Sequence, residues 1–109
     1  MNDFLLVITN LPDAQSAEKL ARQLVEARAA ACVNQLASCN STYRWQGGIE
    51  TVIEVPLLIK TTHAAYPLLE KLIREAHPYE LPEIIAVLVI AGFPAYLDWI
   101  GGETTTLKE

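Results

Sequence analysis

Residues 43–50 read YRWQGGIE, with a glycine pair set between two runs of strand-forming residues. From residue 31 to residue 61, β-branched and aromatic residues dominate, and Gly47-Gly48 can supply the positive φ angles of a tight turn. The pattern therefore predicts two long strands joined in a hairpin. With Gly47-Gly48 as a two-residue turn, the predicted cross-strand pairs are Trp45 with Glu50, Tyr43 with Val52 and Ser41 with Glu54.

Strand and helix patterns alternate on both sides of this hairpin. Upstream, residues 4–8 form an unbroken apolar run, and residues 11–30 follow with helical spacing behind a Pro-Asp start signal. Downstream, residues 64–77 return to helical spacing, residues 84–90 form a second apolar strand, and residues 93–102 predict a short helix stopped by glycine. The order βαββαβ plus a terminal helix predicts an α+β, ferredoxin-like fold with a long projecting hairpin.

In this plan, right-handed crossovers place the first and third strands parallel at the centre of the sheet and both long helices on one face. The second and fourth strands are then edges, although the last strand is apolar on both sides. Pro56 falls inside the third strand, where its missing N–H predicts a bulge or an unpaired donor position. Two helices cannot cover all of the apolar surface, so we expect an obligate oligomer. The hairpin residues predicted to lie at the subunit interface of this oligomer are Tyr43, Trp45, Ile49, Val52 and Ile53.

Composition limits the possible partners. The chain has 109 residues, of which 51% are hydrophobic, which suits a single domain over residues 1–109. A net charge of −5 gives no basic surface for nucleic acid. No apolar run approaches the ~20 residues that span a bilayer, and the N-terminus lacks a signal peptide pattern, so we expect a cytoplasmic protein without a membrane partner. Cys32 and Cys39 fall on opposite faces of a strand unless a bulge intervenes, which predicts two free thiols.

Five motifs together resemble the CutA divalent-cation tolerance family. They are AACVN at 30–34, YRWQGGIE at 43–50, LLIKTT at 57–62, HPYELPEII at 77–85 and YLDW at 96–99. The resemblance implies a ferredoxin-like subunit that forms a homotrimer through its hairpin and is linked to tolerance of copper and other divalent cations. Copper-binding members of that family are expected to use a cysteine at the end of the first strand and two adjacent histidines. Here those positions are Thr9 and Ala76-His77, so the resemblance implies no obligatory cofactor and at most weak Cu²⁺ binding.

The stretch HPYELPEII has two interpretations. Pro78 and Pro82 make it a stiff connector between a helix and a strand, with His77 favoured at the helix C-terminus by the helix dipole. Alternatively, Lys60, His77, Tyr79 and Glu83 line a polar cleft at a subunit junction. Such a cleft could hold a small anionic ligand on Lys60, or a metal ion on His77 with a neighbouring glutamate. The alternative for Lys60 is a charged side chain whose stem covers the core.

Three classes of function follow. The first is a CutA-like trimer that acts in metal homeostasis or signalling as a binding module without turnover. The second is a PII-like small-molecule sensor, but the chain has only eight Lys and Arg and no Gly-rich phosphate loop. The third is an enzyme with an intersubunit site, although no nucleophile and base form a recognisable motif. The first class is therefore preferred.

Overall fold

A computed structural model describes residues 3–105 as five strands and three helices. The strands are β1 (Phe4–Leu11), β2 (Cys32–Gln35), β3 (Cys39–Trp45), β4 (Gly48–Thr62) and β5 (Ile85–Val89). The helices are α1 (Ala14–Glu26), α2 (Tyr66–Ala76) and α3 (Pro94–Glu103). This is the predicted α+β order, except that the second predicted strand is divided into β2 and β3.

The sheet order is β2-β4-β1-β5, with β3 paired to the outer part of β4 and every pairing antiparallel. This order confirms the ferredoxin-like plan and places β2 and β5 at the edges. The prediction that the first and third strands run parallel is wrong, because β1 and β4 are antiparallel neighbours. Each helical crossover joins two parallel strands that have one strand between them in the sheet, and that intervening strand runs in the opposite direction.

Helices α1 and α2 cover one face of the sheet. Asp13 caps α1 by accepting a hydrogen bond from the Ser16 backbone N–H at 2.7 Å. Val25, although one of the residues at helical spacing in α1, is 42% exposed. The side chains that the two helices bury against the sheet are Ala17, Leu20, Leu24, Leu69 and Ile73. Among residues 3–105 no helix is long and apolar enough to cross a membrane.

Helix α3 lies at one end of the opposite face of the sheet, which we call the open face. The Thr104 hydroxyl lies 3.4 Å from that of Thr62, and Gly101 packs beside the ring of Phe4. The predicted glycine stop is wrong, because α3 continues through both glycines to Glu103. The Thr104 hydroxyl then donates to the Ile100 carbonyl at 3.1 Å where the helix ends.

The hairpin turn lies one residue earlier than predicted. Gln46 and Gly47 have φ angles of 50° and 84°, the positive pair that a two-residue turn between twisted strands requires. Trp45 therefore pairs with Gly48, not with Glu50, and the other predicted pairs shift with it. The shift is by two residues, so each side chain keeps its predicted face. The observed pairs are Tyr43 with Glu50, Ser41 with Val52 and Cys39 with Glu54.

The interruption predicted at Pro56 is confirmed, although it lies in the partner strand. Gln35 pairs with Leu57, and Cys39 pairs with Glu54. Three residues lie between the two pairs on the partner strand but only two on β4, so the partner strand carries one extra residue. Within this bulge the Leu36 N–H donates to the Pro56 carbonyl at 3.0 Å. Strand β4 itself continues through the proline without a break.

This bulge also changes the placement of the two cysteines. Cys32 pairs with Lys60, and Cys39 pairs with Glu54. Both positions on β4 belong to the open face, so the two cysteines share a face, which is the alternative that a bulge between them allows. Six residues of β4 still separate them by roughly 20 Å, and both thiols are free. A disulfide between them within one chain is excluded by this distance.

The buried Thr9 hydroxyl leads to a testable prediction about stability. Thr9 is fully buried, and its Oγ1 atom has no hydrogen-bond partner within residues 3–105. Since an unsatisfied buried hydroxyl is destabilising, Thr9→Val should raise the free energy of unfolding by about 1 kcal/mol in urea denaturation. Thr61→Val is the matched control: this hydroxyl is also buried but donates to the Ala29 carbonyl at 2.7 Å, so its loss should destabilise. A Thr9→Val variant less stable than the parent would contradict the prediction.

Candidate functional site

A cleft of about 840 Å³ opens between the hairpin and the loop that follows α2. We call it the hairpin cleft. Its lining comes from hairpin residues 41–45, Val52 and Glu54, from loop residues 78–81 and Glu83, and from Asn10 at the end of β1. Three elements that are distant in sequence therefore meet at one concave surface, which is the usual form of a small-molecule site.

The hairpin wall of this cleft is aromatic. Strand alternation places Tyr43 and Trp45 on the same face of β3, and Val52 faces the same way from β4. Tyr43 is 42% exposed and Trp45 is 37% exposed, so both rings are open to an incoming ligand. The predicted interface residues therefore divide into two sets: these three line the cleft, whereas Ile49 and Ile53 lie on the other face of the hairpin.

The floor of the hairpin cleft is acidic. Glu54 is 7% exposed, and its Oε1 accepts from the Asn10 side-chain amide at 3.3 Å. The same amide donates to Oε1 of Glu83 at 3.1 Å. Two carboxylates are thus held beside one neutral amide. None of the salt bridges within the described part of the chain involves either glutamate.

Tyr79 lies next to this floor. Burial of its phenol, together with the neighbouring Glu54 carboxylate, raises the pKa of Tyr79 to about 12. The hydroxyl therefore keeps its proton at neutral pH and can act as a donor. Its ring also packs against the ring of His77, with 4.7 Å between the centroids.

His77 holds the loop in place. The ring is 7% exposed, and its Nε2 lies 2.6 Å from the Asn10 carbonyl oxygen, to which it donates. The Tyr79 backbone N–H donates to Nδ1 at 3.2 Å. Both ring nitrogens of a neutral imidazole are therefore occupied by the backbone. A metal ion on His77 would have to displace one of these hydrogen bonds.

Lys60 lies elsewhere in the chain. It is paired with Leu6 and Cys32 on the open face, and its ammonium donates to the Asn34 side chain. The structure thus places Tyr79 and Glu83 in the lining of the hairpin cleft, buries His77 next to Tyr79 but outside that lining, and leaves Lys60 roughly 20 Å along β4 from Glu54. Participation of Lys60 across a subunit junction stays a prediction. Within residues 3–105, no three His, Cys, Asp or Glu residues form a group that could hold a metal ion.

Two residues that build the cleft floor were missing from the predicted set. Glu54 is the only charge in the run from Val52 to Leu58, and a buried carboxylate in an apolar strand is a signal of function. Asn10 is a polar residue two positions after the apolar run of residues 4–8. Its two roles, as side-chain donor and as acceptor for His77, depend on tertiary contacts that leave no local pattern.

The raised pKa of Tyr79 predicts how the stability of the protein depends on pH. Because the folded pKa lies near 12 and the unperturbed value is 10.0, the unfolded chain loses this proton first as the pH rises. The stabilisation is complete below about pH 10 and is lost as the pH passes through about 12. The stability of the parent relative to Tyr79→Phe should therefore stay constant up to about pH 10 and fall between pH 10 and 12. Urea midpoints followed by circular dichroism measure it, and a difference that widens with pH would contradict the assignment.

Comparison with known proteins gives one consistent family. Residues 5–103 match the sequence model of the CutA1 divalent ion tolerance protein. The chain is 41% identical over 99 residues to the divalent-cation tolerance protein CutA of Thermus thermophilus, covering 91% of this chain and 96% of that one. It is 44% identical over 97 residues to protein CutA of Mus musculus, covering 89% of this chain but only 55% of the mouse protein.

A solved structure extends the agreement to three dimensions. The crystal structure of CutA from Xylella fastidiosa superimposes with a TM-score of 0.91 at 48% identity, covering 94% of this chain and 99% of that one. None of these names carries an enzymatic activity. Sequence match and fold agree over nearly the whole described chain, and this protein therefore belongs to the CutA1 divalent ion tolerance protein family.

Proposed function

We propose that the chain acts in divalent-cation tolerance as a homotrimeric binding module without catalytic turnover, with copper among the cations it responds to. The family membership supports the link to divalent cations. The observation that carries the proposal is the apolar surface around the hairpin cleft, which a single chain leaves exposed. A module of this kind would act by holding a ligand or a partner between subunits.

The exposed surface has two parts. On the hairpin face turned away from the cleft, Ile49 is 64% exposed and Ile53 is 65% exposed. On the edge strand β5, Ile85 and Val87 are each about half exposed on the open face. Large apolar side chains on a free sheet edge favour association with another chain. A hairpin that reaches onto a neighbour while receiving another makes a head-to-tail contact that can close as a ring, and the family resemblance favours three subunits.

The hairpin therefore has a distinct task on each face. Ile49 and Ile53 suit contact with a neighbouring subunit, whereas Tyr43, Trp45 and Val52 line the cleft and need only partial cover. A trimer built this way leaves the cleft open for binding at or near a subunit junction. It is also compatible with Lys60 entering the cleft from a neighbouring chain.

The trimer can be tested on the outer face of the hairpin. Ile49→Asp combined with Ile53→Asp should dissociate the assembly or prevent folding, because burying two carboxylates in an apolar interface is unfavourable. Size-exclusion chromatography with light scattering should give about three times the 12.0 kDa of one chain for the parent protein. The control, Gln15→Asp with Gln23→Asp, changes two exposed positions on α1 and should leave the mass unchanged. A parent protein that is a folded monomer at micromolar concentration would contradict the proposal.

Copper binding gives a second test. Because Nε2 of His77 must leave the Asn10 carbonyl before it can bind a metal ion, we expect calorimetry at pH 7 to give a Cu²⁺ dissociation constant weaker than about 1 μM. His77→Ala should weaken the binding further. The control is His63→Ala, which removes the other histidine, an exposed one before α2, and should have little effect. Submicromolar binding that persists in His77→Ala would contradict the expectation.

A further inference from the structure

We propose that the hairpin cleft binds a small organic cation, that is, a protonated amine or guanidinium joined to an apolar or aromatic group. This inference gives the binding module a class of ligand and rests on the proposed function. It follows from the charge of the cleft floor, the chemistry of its walls and the size of the opening.

The charge of the floor comes from Glu54 and Glu83. Glu54 is 7% exposed and faces the cleft without a cation within residues 3–105. The hydrogen bond from the Asn10 amide satisfies one Glu54 oxygen atom but brings no positive charge, and the nearby Tyr79 hydroxyl is neutral. A buried carboxylate is stable only when it is paired or well solvated, so this floor favours a cationic group. Glu83 beside it adds a second negative charge and repels an anion.

The walls favour an organic cation over a bare ion. Tyr43 and Trp45 from β3 and Tyr79 from the loop all line the cleft. Aromatic rings attract cations through their faces and also bind the apolar part of a ligand. Three aromatic rings and two carboxylates around one opening form the type of surface that recognises substituted ammonium groups.

The size of the cleft points the same way. A volume of about 840 Å³ lies in the range of small-molecule sites and far exceeds that of a metal ion. The described residues also offer no group of three metal-binding side chains. A ligand with a charged end near Glu54 and an apolar body along Trp45 would use both the floor and the wall.

Arg44 does not neutralise the floor. It contributes to the cleft rim, but strand alternation assigns its side chain to the outer face of β3 together with Thr42. The hydroxyls of Thr42 and Thr51 lie 3.1 Å apart across the strands on that outer face. No salt bridge joins Arg44 to an acidic residue in the described chain.

A matched set of three probes tests the proposal. Benzylammonium, benzyl alcohol and benzoate share one ring and differ in charge. The chain has two tryptophans, so Trp99→Phe leaves Trp45 as a fluorescent reporter inside the cleft. Titration of this full-length protein should show saturable quenching by benzylammonium, at least tenfold weaker binding of benzyl alcohol and no binding of benzoate.

Substitutions then locate the binding. Glu54→Gln keeps the shape and the Asn10 hydrogen bond but removes the charge, and should weaken benzylammonium binding at least tenfold. Glu83→Gln should weaken it less, because Glu83 is exposed. Glu18→Gln, an exposed glutamate on α1 outside the cleft, is the matched control and should have no effect. If Glu54→Gln does not fold, Glu83→Gln and Tyr79→Phe carry the test.

Light scattering on the same samples separates this inference from the proposed function. A trimer that binds all three probes alike, or none of them, would overturn the organic-cation site and leave the trimer standing. If an ammonium group of a neighbouring subunit already occupies the cleft floor, none of the probes should bind, and this result would also overturn the organic-cation site. A monomer that binds benzylammonium in a Glu54-dependent way would instead support the site and overturn the trimeric module.

Discussion

The continuity of β4 is the constraint on which the rest of the structure depends. Its fifteen residues serve the core sheet at one end and the exposed hairpin at the other, giving the molecule a long dimension of 44 Å. Pro56 lies where these two parts join. In an antiparallel strand, the N–H and C=O of one residue point to the same neighbour. The Pro56 carbonyl accepts from Leu36, so its missing N–H faces the bulge, where no regular ladder bond is required, and the strand survives its proline.

The sequence predicts this fold well where periodicity carries the information. Alternating and helical patterns predicted the order of elements and the edge strands, and the missing N–H of Pro56 predicted the interruption that lies opposite it in the partner strand. The hairpin register was not accessible in the same way, because a shift of two residues leaves every side chain on its face and satisfies the same apolar pattern. Both Gln46-Gly47 and Gly47-Gly48 are adjacent pairs able to turn the chain, and glycine is only the more obvious choice. The relative direction of the two central strands was inferred from the crossover rule and not from periodicity, and this inference was wrong.

The candidate site was predictable only where its residues are close in sequence. His77, Tyr79 and Glu83 share one rigid loop, and the prolines in it reveal that it is stiff. The function of His77 was hidden because its partner is a backbone carbonyl 67 residues away, and a carbonyl has no sequence signature. Lys60 shares the open face with Glu54, but the distance along β4 keeps the two apart. This separation changes the expected charge of a ligand from negative to positive, because the cleft of a single chain carries carboxylates without the lysine.

Asn10 connects the loop, the strand β4 and the cleft floor. Its amide donates to both Glu54 and Glu83, and its carbonyl accepts from His77. A cation that neutralises the floor would reduce the unfavourable burial of Glu54 and so stabilise the hairpin that carries it. The outer face of that hairpin is the surface that we assign to a neighbouring subunit. Since the linkage between two binding events is reciprocal, a ligand that orders the cleft face would strengthen assembly through the outer face, and assembly would strengthen ligand binding to the same degree. A binding module needs such a coupling if occupancy of the cleft is to be sensed by the whole assembly.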